Sequence, residues 1–464
     1  MPHVVIVGGG LTGLTVAFRL KQLAPTLSVT VLESRDRPGG NIGTEDHDGF
    51  RVERGPNGFL DRTPSIPDLV RDLGLTNSLI AASEGSRANR YLFLRGKLRQ
   101  LPRGPFGLLT TSLLSARGKW QLLGELWRKR PADIPADESI AAFVTRRAGR
   151  EAAEVFADAL VTGIHGGDPA ELSVGATFPR LLVMEREAGS LIGGFLRAAR
   201  ERKRDAVARG QVPPGPQRMW SFREGLGLLV ERLALALGSP IRCGVSAKRI
   251  ERTDSEWRIH TTSGELEASA VVLACPAPEQ AGIVADLDAE LAREIAAIPY
   301  NRIAVVALGY RRADCPGAPD GFGYIAPQNT RRDVLGVQWC SAIFPDRAPA
   351  GCVLWRALCG GVHRGNLVDL DDVTLARRVH DEIRLAMGVR GEPVFRRIVR
   401  WPRAIPQYVV GHLDRVARIE AATQRHPDLY LTGNAYRGIA MGDCAEEGNR
   451  VAARLAPRFS NSPT

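Results

Sequence analysis

Two stretches of this chain have the composition that lets a backbone approach a ligand, and they lie at opposite ends: Gly8-Gly-Gly-Leu-Thr-Gly13 and Gly433-Asn-Ala-Tyr-Arg-Gly-Ile-Ala-Met-Gly-Asp-Cys-Ala-Glu-Glu-Gly448. The first has the spacing G-x-G-x-x-G. Gly8 permits a tight turn, Gly10 lets the main chain reach a pyrophosphate, and Gly13 lets a helix lie close on a strand. A helix opening at Leu11 and Thr12 turns free N–H groups and the positive end of its dipole toward that anion. Glu33, at the end of the next strand-like run with Ser34 beside it, has the type and place to accept hydrogen bonds from a ribose diol. The second stretch is a further ligand-facing helix start. Asp443 is a potential cap there and is expected to turn toward backbone donors. Gly448 and Ala452, four apart, give its helix a small face for close packing.

These motifs work only if the right elements carry them. Val4-Val-Ile-Val7 is a continuous apolar run of the kind buried in a parallel sheet. Residues 11–23 read as a helix and 29–32 as a strand, a βαβ start. A second cluster has a helix over 226–237 and strands around Val245, over 257–261 and over 270–274. The last strand, 429–432, runs directly into the C-terminal glycine-rich stretch. Residues 85–215 are mostly helical in pattern and end in the breaker Val212-Pro-Pro-Gly-Pro216. Residues 300–420 carry strand signals such as Ile303-Ala-Val-Val-Ala-Leu308. The expected fold is α/β (α+β overall), with a discontinuous Rossmann-like domain assembled from 1–84, 216–299 and 425–464. A helical insertion, 85–215, and a mixed-sheet substrate-binding domain, 300–424, complete it.

The formal net charge is +11, carried almost wholly by arginine. That balance suits an acidic partner, but no dense basic tract with interleaved aromatics points to nucleic acid. Seven scattered cysteines form no Cys-x-x-Cys pair, so neither a disulfide framework nor a metal site is expected. The chain enters its first strand directly after Met1-Pro-His, and no apolar run approaches a membrane span, so the expected location is cytoplasmic.

Further motifs carry a family resemblance. Arg37-Pro-Gly39-Gly40-Asn41-Ile-Gly-Thr44 resembles the R-x-G-G-[RKW]-x-x-[ST] extension of the FAD-dependent amine oxidase superfamily, with Asn41 where a basic residue or tryptophan is usual. The resemblance implies that Gly39 and Gly40 let the chain pass the phosphate and ribitol of FAD, that Arg37 offsets pyrophosphate charge and Asn41 keeps a donor there, that Gly55-Pro56-Asn57 runs beneath the flavin ring, and that Val245 gives an adenine-side backbone contact. Within that superfamily the chain resembles protoporphyrinogen oxidases and their coproporphyrinogen-oxidising relatives. The matching motifs are Asn89-Arg90-Tyr91, Gly163-Ile-His-Gly-Gly-Asp168-Pro169, Gly321-Phe322-Gly323, Phe344-Pro-Asp-Arg-Ala-Pro349 and Ile405-Pro-Gln-Tyr-Val-Val-Gly-His412.

The resemblance implies a six-electron oxidation of a porphyrinogen in three rounds, hydride passing to FAD and dioxygen reoxidising it with formation of hydrogen peroxide. Arg90 would bind a substrate carboxylate, its guanidinium forming a bidentate fork. Phe322 and Trp339 would sandwich pyrrole rings, and the carbonyl of Gly163 would orient the reacting centre. Gly433 and Asn434 would lie near the ribityl chain, and Ala440 and Met441 beside the flavin's pyrimidine edge. Protoporphyrinogen IX is the expected substrate, with coproporphyrinogen III as the alternative. An amine oxidase, a carotenoid desaturase or a non-enzymatic binder like the GDP-dissociation inhibitors are the competing readings. Residues 103–130, in which Trp120 and Trp127 alternate with basic side chains, suggest peripheral contact with the inner face of a membrane. A homodimer is also allowed.

Overall fold

The computed structural model describes residues 2–102, 104, 107, 110–128, 133, 135–208, 217–238, 240–317 and 320–460. Phe106, Leu108, Leu109, Lys129 and Arg130 of the basic amphipathic stretch lie outside these residues, as does the 212–216 breaker.

The apolar run near the N-terminus forms strand His3–Val7, the centre of a wholly parallel five-stranded sheet. The order is Ile241–Cys243, Ser28–Glu33, His3–Val7, Ala270–Leu273, Leu429–Leu431. Both faces are covered, which is why Val4 to Val7 need not alternate in polarity. Val4 and Ile6 pack with the helices Leu11–Leu23, Gly227–Leu237 and Met441–Ser460, whereas Val5 and Val7 pack with Trp257, Ile259, Leu291 and Ile419. Trp257–Thr261 is the middle strand of a separate three-stranded antiparallel sheet. Around Val245 there are two strands, Ile241–Cys243 and Ala247–Arg252, and the residue itself lies in the turn between them, where its N–H donates to Glu33 O at 3.0 Å.

Because all five strands run the same way, their C-terminal ends share one edge, and the turns at Gly8, Cys275 and Thr432 gather there. The first and last helices start from this edge. Thr12 bonds Cys444, Thr15 lies against Gly448, and Arg19 Nε donates to Asn449 at 3.0 Å. Sequence numbers rise together along both helices, so they run parallel and their N-termini open side by side.

A second, mixed sheet has seven strands in the order Phe395–Trp401, Arg302–Arg311, Cys352–Gly361, Val334–Gln338, Gly323–Ile325, Arg90–Leu94, Lys97–Gln100. The last two strands come from the stretch read as helical; Arg90–Leu94 pairs in parallel with Gly323–Ile325, a short helix, Glu84–Ala88, precedes it, and the remaining helices of the stretch follow Lys97–Gln100. One face of this sheet, with Tyr91, Tyr324, Val337 and Tyr310, is buried under helix Asp372–Met387. The other faces the loops of residues 41–57 and the helical insertion, where Leu92 and Ile325 meet Leu113, Val155 and Ala159. Helix Asp158–His165 ends there in buried His165, which is 3% exposed, meets Phe178 edge-on and has no partner for Nδ1.

Two predictions follow from this packing. A Cβ on Gly448 would lie 2.7 Å from Thr15 Cβ and 2.9 Å from Thr12 O. Helix propensity favours alanine over glycine by about 1 kcal/mol, while overpacking costs about 1–3 kcal/mol. Packing wins, so Gly448→Ala lowers the urea midpoint of the flavin-loaded protein; an increase would contradict the close parallel contact. The second concerns pH. Burial pulls the His165 pKa from 6.5 to about 4, and burial also lowers that of His412. The neutral ring is the folded form, so an unfolded chain takes up protons that the folded chain refuses between these values. For His165 stability is full above about pH 6.5 and falls toward pH 4, by up to about 1.4 kcal/mol per pH unit, and His412 acts in the same direction. Melting temperatures followed from about pH 7 to about pH 5 decline less steeply in His165→Gln than in the wild type; equal slopes would contradict the assignment.

Candidate active site

The glycines at the sheet edge differ in what they face. Gly8, at φ +114°, turns against the main chain of Ala274 and Cys275, where a Cβ would come within 2.7 Å. A Cβ on Gly13 would lie 2.0 Å from Gly8 O, so helix and turn touch directly. Around Gly10 nothing stands within 4 Å of an added Cβ, so the approach it permits is to something outside the chain. The helix beginning at Leu11 has no side-chain cap and no acid in its first turn. Its first N–H groups therefore stay available to an anion. Buried Glu33 accepts the Arg35 N–H at 2.9 Å and the Ser34 hydroxyl at 3.4 Å through Oε1, and the Gly9 N–H at 3.0 Å through Oε2, which keeps a lone pair for a diol.

The loop after Glu33 folds back onto this turn. Gly39 N–H donates to Gly9 O at 2.7 Å, and a Cβ on Gly40 would lie 3.3 Å from Gly10 Cα. Arg37 donates to the carbonyls of Pro38, Gly40 and Ile42 and so holds the loop closed; burial, then Arg54, lowers its pKa. Asn41 reaches the Ala404 carbonyl at 3.5 Å, and a Cβ on Gly55 would be 2.2 Å from Asn41 O. Half-buried Pro56 follows, and then Asn57, buried, with its amide nitrogen unpartnered and its oxygen 3.7 Å from the Cys340 thiol. At the other end, Gly433 turns at φ +116° beside the Ala274 and Cys275 carbonyls. Asn434 O accepts the Tyr408 hydroxyl at 2.5 Å. Asp443 accepts the Ala440 N–H at 3.1 Å, the turn toward a backbone donor expected of it, and also the Arg62 side chain at 2.9 Å, while Met441 is buried in the core.

On the second sheet Arg90, Gly323, Gln338 and Arg356 are register partners across four strands and share the inner face. Leu92 and Ile325 follow on that face. An added Cβ on Gly163, in the last turn of helix Asp158–His165, would lie 2.5 Å from Ile325 Cδ1, so the two residues lie against each other and a larger residue at 163 would displace the isoleucine tip. Its neighbours Leu160 and Ile164 are 41% and 43% exposed and form an apolar strip open to solvent. The Arg90 guanidinium lies 4.8 Å from the centre of the Phe322 ring, and no carboxylate among the described residues pairs with it. Surrounding protein lowers its pKa, although the residue as a whole is exposed to solvent.

Trp339 is a correction to the sequence reading. It follows the parity of Val337, turns to the opposite face, is 1% exposed and packs on Tyr91 with ring centres 5.6 Å apart. Its neighbour Gln338 faces inward, and strand alternation alone would have shown it. Ile325, Asn301 and the roles of Gln407, Tyr408 and His412 were also missed; the motif containing the last three was noticed without a task for it. Among the described residues no group of His, Cys, Asp or Glu is arranged to hold a metal ion.

The chain is similar to known flavoproteins along nearly its whole length. The family described as flavin containing amine oxidoreductase matches residues 11–456. The chain is 30% identical to a coproporphyrinogen III oxidase of Bacillus subtilis (strain 168), covering 97% of each chain. It is 32% identical to the chloroplastic protoporphyrinogen oxidase 1 of Arabidopsis thaliana, over 97% of this chain and 87% of that one. A crystal structure of an Exiguobacterium sp. 255-15 protein assigned as a protoporphyrinogen oxidase superposes with a TM-score of 0.85 at 27% identity, over 98% and 99% of the two chains. The open space at Gly10, the uncapped first helix and the opposed Gly39–Gly40 loop fit FAD. The chain belongs to the flavin-containing amine oxidoreductase family, among the protoporphyrinogen and coproporphyrinogen III oxidases.

Proposed function

We propose that this protein oxidises protoporphyrinogen IX to protoporphyrin IX, a six-electron reaction that consumes dioxygen and forms hydrogen peroxide. The observation that carries the reading is Arg90, an arginine with no carboxylate partner set over Phe322. It lies on the same sheet face as Ile325, which touches Gly163. An anionic, flat, largely apolar substrate matches that combination of charge and surface.

FAD would be held by Gly8, Gly10, Leu11, Thr12 and Gly13 at its pyrophosphate, whose charge Arg37 would offset, by Glu33, Ser34 and Val245 at its adenosine, and by Gly39, Gly40 and Asn41 along the phosphate and ribitol. Gly55, Pro56 and Asn57, with Gly433, Asn434, Ala440 and Met441, would border its ring. When bound, it supplies the two-electron acceptor for each round. The chain's own work is placement. Arg90 binds a propionate, and Phe322 supports a pyrrole ring. The Gly163 carbonyl belongs to the last helical turn, where carbonyls lack helical partners and carry partial negative charge. It would orient a pyrrole N–H and favour the positive charge that hydride loss leaves on the macrocycle. Coproporphyrinogen III is the second reading, favoured by the Bacillus relative's match along nearly its whole length.

The helical insertion supports peripheral membrane contact at the inner face, because Trp120 and Trp127 stand 75% and 77% exposed on a basic segment. No helix among the described residues is long and apolar enough to cross a membrane.

The test is aerobic oxidation of anaerobically prepared porphyrinogens, followed by porphyrin fluorescence. Protoporphyrinogen IX is expected to turn over with the higher kcat/KM. In Arg90→Ala the KM rises about ten-fold or more, as loss of a charged hydrogen bond worth about 1.5–3 kcal/mol requires, with kcat within a few-fold. Failure to oxidise either porphyrinogen would overturn the reading, and unchanged kinetics in Arg90→Ala would remove that residue from it.

A further inference from the structure

We propose that Gln407, Tyr408 and His412 are positioning residues, a brace that fixes the spacing between helix Asp158–His165 and the 433–441 loop. The inference rests on the reading above that these elements are the substrate wall and the flavin edge.

Adjacent side chains reach in opposite directions. Gln407, 2% exposed, donates through Nε2 to His165 O at 3.1 Å and to Ile405 O at 3.0 Å. Tyr408, the next residue and 1% exposed, donates its hydroxyl to Asn434 O at 2.5 Å. His412 stacks on the Tyr408 ring with centres 4.2 Å apart, and its Nε2 donates to Tyr436 O at 3.1 Å. A link of this kind, from the end of one element to the loop of another, uses three carbonyl acceptors that ordinary helix and sheet bonding does not satisfy.

The brace is itself anchored. Asn301 accepts the Ile405 N–H at 3.0 Å and donates to His165 O at 2.7 Å and Gly166 O at 3.2 Å, so two amides hold the carbonyl that ends the helix. Gly411 N–H donates to Asp137 at 2.8 Å, and Ser173 N–H donates to Tyr408 O at 2.8 Å. A Cβ on Gly167 would lie 2.4 Å from Gln407 Oε1, which leaves no slack beside the helix end. Burial raises the Tyr408 pKa, so its hydroxyl stays a donor.

The consequence is geometric. Hydride transfer requires the reacting atoms about 3–3.5 Å apart, and a displacement of about 1 Å can cost on the order of a hundredfold in rate. Gly163 lies two residues before His165, and Ala440 and Met441 lie a few residues beyond Tyr436, so the brace holds both sides of that gap.

The experiment uses the FAD-loaded protein with Tyr408→Phe, Gln407→Met and the double variant. It follows anaerobic flavin reduction at saturating protoporphyrinogen IX, KM, melting temperature, the visible flavin spectrum and hydrogen exchange. Expected is a fall of about ten-fold or more in the reduction rate of each single variant, with KM within about two-fold. Flavin content stays at the wild-type level, and the melting temperature falls by only the few degrees that one unpaired buried carbonyl implies, so both variants are fully folded at the assay temperature. Exchange rises over 433–441 in Tyr408→Phe and over 160–167 in Gln407→Met. The double variant is no slower than the slower single one, because either break releases the same spacing. Reduction rates within about two-fold of the wild type, or rate loss that only follows lost flavin or unfolding at the assay temperature, would overturn the brace. If the wild type oxidises no porphyrinogen, the proposed substrate fails and the exchange measurement still decides: unchanged protection at both segments would overturn the brace.

Discussion

The close parallel contact between the first and last helices sets the rest of the site. Gly13 seats the first helix against the Gly8 turn, and Gly448 seats the last helix against Thr12 and Thr15. Neither contact leaves space for a Cβ. Because the helices run parallel from one edge of a parallel sheet, two positive dipole ends face the same crevice. In the proposed function one lies where a pyrophosphate would sit, and the other where charge would build on a reduced flavin ring. The two glycine-rich stretches, more than four hundred residues apart in sequence, therefore serve a single cofactor in the proposed function.

The second sheet has to be held against that crevice at a fixed distance, and buried charge does part of this. Arg356 donates to Glu53 O at 2.9 Å, and Arg347 donates to Ser221 Oγ at 3.1 Å and Phe222 O at 2.9 Å. Glu53 accepts the Leu226 N–H at 2.9 Å and the Thr44 hydroxyl at 2.8 Å. Burial raises the Glu53 pKa and lowers those of both arginines, so each group depends on the others staying in place. Removing one partner from such a set costs about 3–5 kcal/mol. The Phe344–Pro349 motif thus reads as a structural joint between the cofactor loops and the substrate sheet.

Much of the cofactor side was legible because its signals are local. A glycine spacing, a preceding apolar run and an acid one strand later act within some thirty residues, and the helices at 11–23 and near 226–237 formed where periodicity placed them. The substrate side was less legible because it depends on pairing across long separations. Strand Arg90–Leu94 borrows its register from Gly323–Ile325, which local pattern cannot foresee. Trp339 looked functional by type, yet parity sent its ring to the covered face and gave the inner face to Gln338. Gln407 and Tyr408 are ordinary residues until the fold brings a helix end and a distant loop to either side of them.

The most direct test of the shared-cofactor account is a hydrogen-exchange titration of the deflavinated protein with FAD and, separately, with ADP. The account predicts that FAD protects 8–13 and 433–443 with one midpoint and one flavin per chain, while ADP protects only the first segment. Protection of 8–13 by FAD with no change at 433–443, or two separate midpoints, would contradict it.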